Sequence, residues 1–298
     1  MNKLNVGFIG LGLMGSGFTE RLVETGFSVF GYDRVSEKVR TAAANGVVAA
    51  TSPADVAQHA EQVHVCVMTP KDLEEVIFGS NGISNNGPGN DKGKAEILVD
   101  HSTTPVEITK DFAHRLKQET DIEWIDAPVS GGPAAARDGT LAIMAGAREE
   151  TFGQAIPVLQ KLGECTRMGD IGAGQVTKMV NQILVLNNYC ILAESLAMAE
   201  AGGVDPAKIP KALAQGHAGS NLLQNLFPRM IERDYEPAGY AFQVLKDLGM
   251  VSDLAKSLNV STPMSSQAAG LFQKLNDAGH GELDGISILK LYKGEIDT

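Results

Sequence analysis

The sequence predicts an α/β fold: a doubly wound, mostly parallel sheet in the first part of the chain, followed by a second, all-helical domain that begins with a long interdomain helix. Three observations carry this expectation. Up to about residue 170, short β-branched runs alternate with amphipathic ones, the pattern of βαβ units. After Gly169-Asp170 the β-branched runs give way to helical periodicity. A chain of 298 residues is also long for one simple core, so two domains of unequal size are expected, 1–170 and 171–298.

Strands are expected at 4–9, 28–32, 62–67, 95–100, 122–126 and 141–145, with a last one at 164–168 closing the sheet. Residues 79–93, rich in Gly, Asn, Ser and Pro, read as a mobile surface loop. The second domain opens with a helix at 175–201, closed by Gly202-Gly203, and continues with helices at 206–215, 221–233, 242–258, 263–276 and 284–292. No internal repeat or low-complexity tract interrupts this order.

Composition narrows the function classes. With 43% hydrophobic and 20% charged residues the chain is an ordinary globular one. Its net charge of −11 and pI near 5.0 would repel nucleic acid and anionic membranes, and neither is expected as a partner. Cys66, Cys165 and Cys190 lie far apart in apolar stretches, without a CxxC or a histidine at zinc-ligand spacing, so buried thiols in a reducing compartment are expected and no metal site. The first residues run into a strand rather than the order of an export signal, which makes a cytoplasmic location the expectation. The apolar run at 183–193 is broken by Asn187 and Asn188, is too short to span a bilayer, and reads as a buried helix. The 175–201 helix is apolar on too many sides for a few short helices to cover, so a homodimer or homotetramer is expected.

Gly10-Leu11-Gly12-Leu13-Met14-Gly15 places GxGxxG between the end of a strand and the start of a helix, the context of a dinucleotide-binding turn. Gly10 permits the turn, Gly12 admits the pyrophosphate, and Gly15 lets the helix pack on the strand. The following helix would point its free N–H groups at the phosphates. Asp33, about 20 residues on at the end of the second strand, can bond the adenosine ribose hydroxyls and would repel a 2′-phosphate, favouring NAD over NADP. Arg34 weakens that preference because a guanidinium could embrace such a phosphate; its alternative is a solvated surface charge.

Further motifs follow: Asp100-His101-Ser102-Thr103-Thr104-Pro105, Asp126-Ala127-Pro128-Val129-Ser130-Gly131-Gly132, Gly172-Ala173-Gly174-Gln175-Val176-Thr177-Lys178-Met179-Val180-Asn181, and Lys246-Asp247-Leu248. Together with the glycine turn they resemble the β-hydroxyacid dehydrogenase family, which includes 3-hydroxyisobutyrate dehydrogenase and tartronate semialdehyde reductase. The resemblance runs over nearly the whole chain. It implies a doubly wound Rossmann domain, a hydride transfer between a nicotinamide cofactor and a short 3-hydroxy acid or its semialdehyde, and Lys178 as the acid/base. It further implies that Ser130, Gly131 and Gly132 hold the substrate carboxylate, that Asn181 orients the substrate, and that Ser102 adjoins it. Thr103 and Lys246 would line the nicotinamide end, with Met68 and Thr69 at the cofactor edge. Three positions depart from the family pattern. His101 stands where a small Ser is usual, which points to an altered pocket shape or polarity; Met68-Thr69 replaces Leu-Pro; and Gln182 occupies the position that carries the Asn in some relatives, so Asn181 and Gln182 could divide its role.

The chemistry is consistent with these residues. A hydride leaves a carbinol carbon only with loss of the hydroxyl proton, so a base must sit within hydrogen-bond reach, and the reverse reaction needs an acid. A lysine titrates near about 10.4, but burial, a second cation such as Lys246, and the positive end of a helix disfavour its charged form. Val176, Met179, Val180, Ile183 and Leu184 surround Lys178 with apolar residues, an unusual setting for a solvated charge. Ser130-Gly131-Gly132-Pro133 could be a simple turn, yet paired glycines also let backbone N–H groups crowd onto an anion. None of the five tyrosines begins a YxxxK pair, which counts against short-chain reductase chemistry. Two alternatives stay open: an imine reductase, which usually lacks a lysine at this position, and a catalytically silent NAD-binding sensor or scaffold.

Overall fold

In the computed structural model, which describes residues 4–86 and 93–296, the alternating segments become β1 (Asn5–Ile9), α1 (Leu13–Glu24), β2 (Ser28–Tyr32), α2 (Ser36–Ala44), β3 (Val48–Ala49), α3 (Pro53–His59), β4 (Gln62–Val65) and α4 (Pro70–Phe78). They are followed by β5 (Ile97–Asp100), α5 (Val106–Thr120), β6 (Glu123–Asp126), β7 (Val129–Ser130), α6 (Gly132–Asp138), β8 (Leu141–Gly146), α7 (Glu149–Leu162) and β9 (Gly163–Gly169). The strand order is β3-β2-β1-β4-β5-β6-β8-β7, with β9 beside β8. Its first six strands are parallel neighbours in the doubly wound arrangement, and the order reverses between β1 and β4. In doubly wound sheets a dinucleotide binds beyond the carboxyl ends of the strands at such a reversal.

Both faces of this sheet are covered, as a parallel sheet requires. Along β5, Ile97 and Val99 face one core with Phe8, Phe18, Leu22, Leu159 and Leu162, while Leu98 faces the other with Val63, Leu73, Ile77, Leu116 and Trp124. The period-2 alternation of strand side chains produces this division.

The sequence expectations differ from the structure in several places. β3 and β7 are two-residue strands, too short for their pattern to register. β8 runs antiparallel to β6 and β7, so the residues read as a turn at 130–133 begin with a paired strand residue. Within the expected loop at 79–93, Ile83–Asn86 forms a 3-10 turn and Ile83 is fully buried in the core beneath α3 and α4; a single apolar anchor was masked by its polar neighbours. Residues 87–92 of that loop lie outside the described residues. Cys190 is buried, but Cys66 and Cys165 are half-buried. Burial pushes the Cys165 and Cys190 thiols up to about 12, which keeps them protonated and unreactive.

The chain divides into two compact units, Met1–Lys178 and Met179–Thr298. The second is helical: most of α8 (Ala173–Ala201), then α9 (Ile209–Leu213), α10 (Asn221–Glu232), α11 (Ala241–Ser257), α12 (Pro263–Leu275) and α13 (Leu289–Tyr292). The expected helices at 206–215 and 284–292 each open as a 3-10 turn, Pro206–Lys208 and Gly285–Ile288, capped by Asp205 and Asp284. Leu186, Ala193 and Leu196 of α8 form a core with Phe227, Leu248, Phe272, Ile286 and Leu289. By length and composition α8, 29 residues long and with a mean hydropathy of 1.2 over an 18-residue stretch, could cross a bilayer. Its contribution to this core and its polar Lys178, Asn181, Gln182, Asn187 and Asn188 identify it instead as a structural helix of the fold.

Candidate active site

At the carboxyl end of β1 the chain turns at Gly10, whose φ of +95° suits glycine, and where a Cβ would lie 2.2 Å from the Cys66 carbonyl oxygen. A Cβ on Gly15 would lie 1.9 Å from the Gly10 carbonyl oxygen, so the close approach of helix to turn requires that glycine too. Gly12 is different. Its φ of −76° suits any residue, and the nearest atom to an added Cβ is Lys38 Nζ at 3.9 Å. Among the described residues nothing packs so closely as to demand a glycine there, and the absent side chain leaves the backbone open to an external group. No side chain caps α1, so the N–H groups of its first turn, beginning at Leu13 and Met14, remain for an anion. These features fit a dinucleotide pyrophosphate.

The buried Asp33 carboxylate stands beside this turn, accepting from Leu11 N (2.8 Å) and Val35 N (2.8 Å), which fixes it for a ribose diol. Arg34 points outward with its side chain 78% exposed and pairs with Asp72 at 3.0 Å, the surface-charge alternative. Lys38 in α2 was not singled out from sequence, yet its Nζ sits 3.8 Å from Asp33 Oδ2; its signal was a cation one helical turn past the acid. Met68 is exposed after β4. Thr69 caps α4, accepting from Asp72 N (3.1 Å) and donating to Asp72 Oδ2 (2.7 Å).

Loops after β4, β5 and β6 are tied to one another and to the start of α8. Ser102 Oγ accepts from Val67 N at 3.0 Å. Gln175, fully buried in the first turn of α8, donates from Nε2 to Ser102 O (2.8 Å) and accepts at Oε1 from Thr104 N (3.2 Å). Thr103 lies half-buried between them. Asp126, at the end of β6, accepts from Gly172 N (2.7 Å) and Gln175 N (3.0 Å), capping α8 from below. One turn further along that helix is Lys178, 8% exposed, whose Nζ donates to Val129 O at 2.7 Å. Val129 leads directly into Ser130, Gly131 and Gly132. A Cβ on Gly132 would meet nothing within 4 Å, so its backbone, at a φ of +75°, faces open space.

Within the first unit, then, Lys178, Ser130, Gly131 and Gly132 gather around Val129, and Ser102 and Thr103 join the same helix through Gln175. Asn181 and Lys246 belong to the second unit. There Asn181 Nδ2 donates to Gln182 Oε1 (2.9 Å), Gln182 Nε2 donates to Asp247 Oδ2 (2.5 Å), and Lys246 Nζ lies 3.3 Å from Asp247 Oδ1. Asp126, Gln175 and Asp247 were not assigned roles from sequence. An acid ending a buried strand and an amide in a helix's first turn were the available signals for the first two.

His101 corrects the sequence expectation of an altered substrate pocket. Its ring lies inside the sheet's core, stacked on Phe18 at 4.7 Å between centroids, with Nδ1 2.7 Å from Ala127 O and Nε2 2.9 Å from His64 Nδ1. Parity with Ile97 and Val99 on β5 sends it to that face. Burial lowers His101 to about 4 and His64 well below its usual value, so both rings are neutral.

Residues 5–171 match a family described as the NAD binding domain of 6-phosphogluconate dehydrogenase, and residues 172–292 one described as the NAD-binding region of NADP-dependent 3-hydroxyisobutyrate dehydrogenase. Among curated relatives, the 2-hydroxy-3-oxopropionate reductase of Escherichia coli is 32% identical, covering 96% of each chain. The chain belongs to the β-hydroxyacid dehydrogenase family. L-threonate dehydrogenase of Cupriavidus necator is likewise 32% identical, over 97% of this chain and 96% of its own. The crystal structure of a 3-hydroxyisobutyrate dehydrogenase from Salmonella typhimurium superposes with a TM-score of 0.87 at 27% identity, covering 97% of this chain and all of the other. Imine reductases among the solved structures are more distant. This β-hydroxyacid dehydrogenase is an NAD(P)-dependent oxidoreductase with the Rossmann fold that the glycine turn implied.

The dehydrogenase's glycines yield a paired prediction. Gly15→Ala forces a backbone clash and lowers the urea midpoint, whereas Gly12→Ala leaves that midpoint unchanged and weakens NAD(P) binding about tenfold or more, measured by fluorescence titration. Equal affinity in Gly12→Ala and wild type would remove the phosphate role of the turn.

A second prediction concerns Asp100 and Asp126, neighbours on β5 and β6. Burial pushes each up to about 7. The N–H groups of Gly172 and Gln175 favour the charged form of Asp126, whereas burial and the nearby Asp126 favour the protonated form of Asp100. An acid with a raised folded-state pKa contributes stability that is complete below its unfolded value and lost as pH rises through the folded one. The neutral histidines have the opposite slope below about pH 6.5. The acid contribution therefore reads as a difference: from about pH 5 to about pH 8, Asp100→Asn gains about 2–3 kcal/mol on wild type in urea denaturation. A pH-independent difference would contradict the buried proton.

Proposed function

We propose that this dehydrogenase moves a hydride between NAD and a short 3-hydroxy acid, or the corresponding semialdehyde, with Lys178 as the acid/base. The observation that carries this reading is the Lys178 side-chain nitrogen, buried and bonded to Val129 O at 2.7 Å, immediately before the Ser130-Gly131-Gly132 turn. An amine and an anion-receptive backbone set side by side suit a molecule bearing both a hydroxyl and a carboxylate. The names of relatives support substrates of the 3-hydroxyisobutyrate, threonate or tartronate semialdehyde kind.

Bound nicotinamide supplies the hydride acceptor or donor. The chain's residues do the rest. The Gly131 and Gly132 amides and the Ser130 hydroxyl hold the carboxylate, which fixes the carbinol carbon near the amine. On oxidation, the hydroxyl proton passes to Lys178 Nζ as the carbon loses its hydride; on reduction, the ammonium protonates the new alkoxide oxygen. Because Val129 O accepts an N–H from either form of the lysine, the side chain keeps its direction through the transfer. Asn181 and Gln182, linked to each other and to Asp247, serve to orient the substrate, with Lys246 at the nicotinamide end. Ser102 adjoins the substrate and Thr103 the nicotinamide, both joined to the first turn of α8 through Gln175. Asp33 favours NAD over NADP, and the pairing of Arg34 with Asp72 supports that choice.

We place the protein in the cytoplasm as a soluble enzyme and propose that it self-associates through α8. Val180, Leu184, Ile191 and Met198 recur at spacings of four and seven along that helix and are exposed, Leu184 by 63% and Met198 by 72%. A stripe of this kind on one helix suits a second copy of the same chain. The first domain, 1–170, then holds the cofactor, and 171–298 supplies substrate contacts and the oligomer face.

Lys178→Ala lowers kcat by about 10²- to 10⁴-fold while the NAD dissociation constant stays within about twofold, in steady-state assays over a panel of 3-hydroxy acids. Wild type that binds NAD but turns over none of the panel would favour a silent sensor. For self-association, sedimentation velocity at micromolar concentration should show a species larger than the 31.5 kDa chain, dissociated by the pair Leu184→Glu and Met198→Glu. A wild-type monomer under those conditions overturns it.

A further inference from the structure

The buried imidazole pair has no part in the chemistry just described, yet it ends on the backbone that carries the site. Donor and acceptor rules fix its arrangement. Ala127 O can only accept, so the neutral His101 ring bears its proton on Nδ1 and donates it over 2.7 Å. His101 Nε2 is then a lone pair, and the His64 Nδ1 at 2.9 Å must be the donor to it. His64 Nε2 is left as the orphaned acceptor, which is where the structure has a buried nitrogen without a partner. The result is a directed relay of hydrogen bonds, His64 to His101 to Ala127, running across β4, β5 and the end of β6 and packed beside the adjoining rings of Phe8 and Phe18.

Ala127 begins the five-residue path to Ser130 and Gly131, and Val129 on that path receives Lys178 Nζ. Ala127 N also donates to Asp100 O at 2.7 Å, so the peptide is gripped on both sides. We infer that His101 is a positioning residue: through Ala127 it sets the height and direction of the segment that holds the substrate carboxylate and the amine of Lys178, and His64 fixes the tautomer that makes this possible. His101 touches neither substrate nor cofactor; it acts through the backbone.

This inference rests on the hydroxy-acid reading above, and its test separates the two. His101→Phe keeps the ring and its stack on Phe18 but loses the donor. His101→Asn restores an N–H near the position of Nδ1. Amide hydrogen exchange in the 129–132 segment should quicken about tenfold in His101→Phe and return most of the way in His101→Asn. KM for the hydroxy acid should rise about five- to tenfold in the Phe variant with the NAD dissociation constant within about twofold, and the Asn variant should recover most of that affinity. The inference is overturned if exchange in the segment is unchanged, if the rise in KM comes with an equal loss of NAD affinity as in general loosening, or if Asn rescues neither. Should wild type turn over none of the acids, the functional reading falls alone, and the exchange rates still decide whether His101 holds the segment.

Discussion

The geometry around Lys178 depends on two hydrogen bonds that the Asp126 carboxylate accepts from Gly172 N and Gln175 N. The first N–H groups of a helix have no partner within it, and at a buried helix start they must find one. Here the partner is a carboxyl group at the end of β6, bonded to the helix by short contacts, and the helix dipole favours its charged form. Ordinary side-chain caps stabilise by about 1 kcal/mol. This one also fixes where α8 leaves the sheet, and therefore where a residue in its second turn can reach. Burial opposes the arrangement by driving the acid toward its neutral form, and the backbone N–H groups it accepts from counter that drive.

Around this anchor the structure meets a problem that parallel sheets create. Their loops emerge side by side at one end, beyond the reach of the strand ladder, and their buried polar groups still need partners. Side chains provide them: Ser102 joins the loops after β4 and β5, Gln175 joins the latter to α8, and His101 reaches the peptide after β6. Each tie is modest in energy. Together they make neighbouring loops mutually dependent, the condition under which reacting groups stay within a fraction of an ångström of their working positions.

Much of this was legible in the sequence. Period-2 runs gave five of the parallel strands within two residues, and the glycine turn with Asp33 pointed to the dinucleotide because each residue type answers a separate geometric need. Elements of two residues, such as β3 and β7, carry too little pattern to be read. Ile83 was hidden because one apolar residue among Gly, Ser and Asn looks like a loop until the hollow it fills is known. The placement of His101 could have been inferred from strand parity, but its partner Ala127 O is a backbone atom, and no sequence pattern announces a carbonyl. Asp126 and Gln175 were visible as motif letters; their roles are set by a helix end and a strand end some fifty positions apart in the chain.

Gln175 uses both ends of its amide, donating at one and accepting at the other, so no other side chain can replace it without losing a bond or adding a charge. Its effect on divergence is a form of channelling. An insertion between β5 and α5 would break the register that lets one amide face Ser102 O and Thr104 N together, and with it the start of α8. The strand-end loops and the first turn of α8 can therefore change only as one block, because a single amide closes the joint between them.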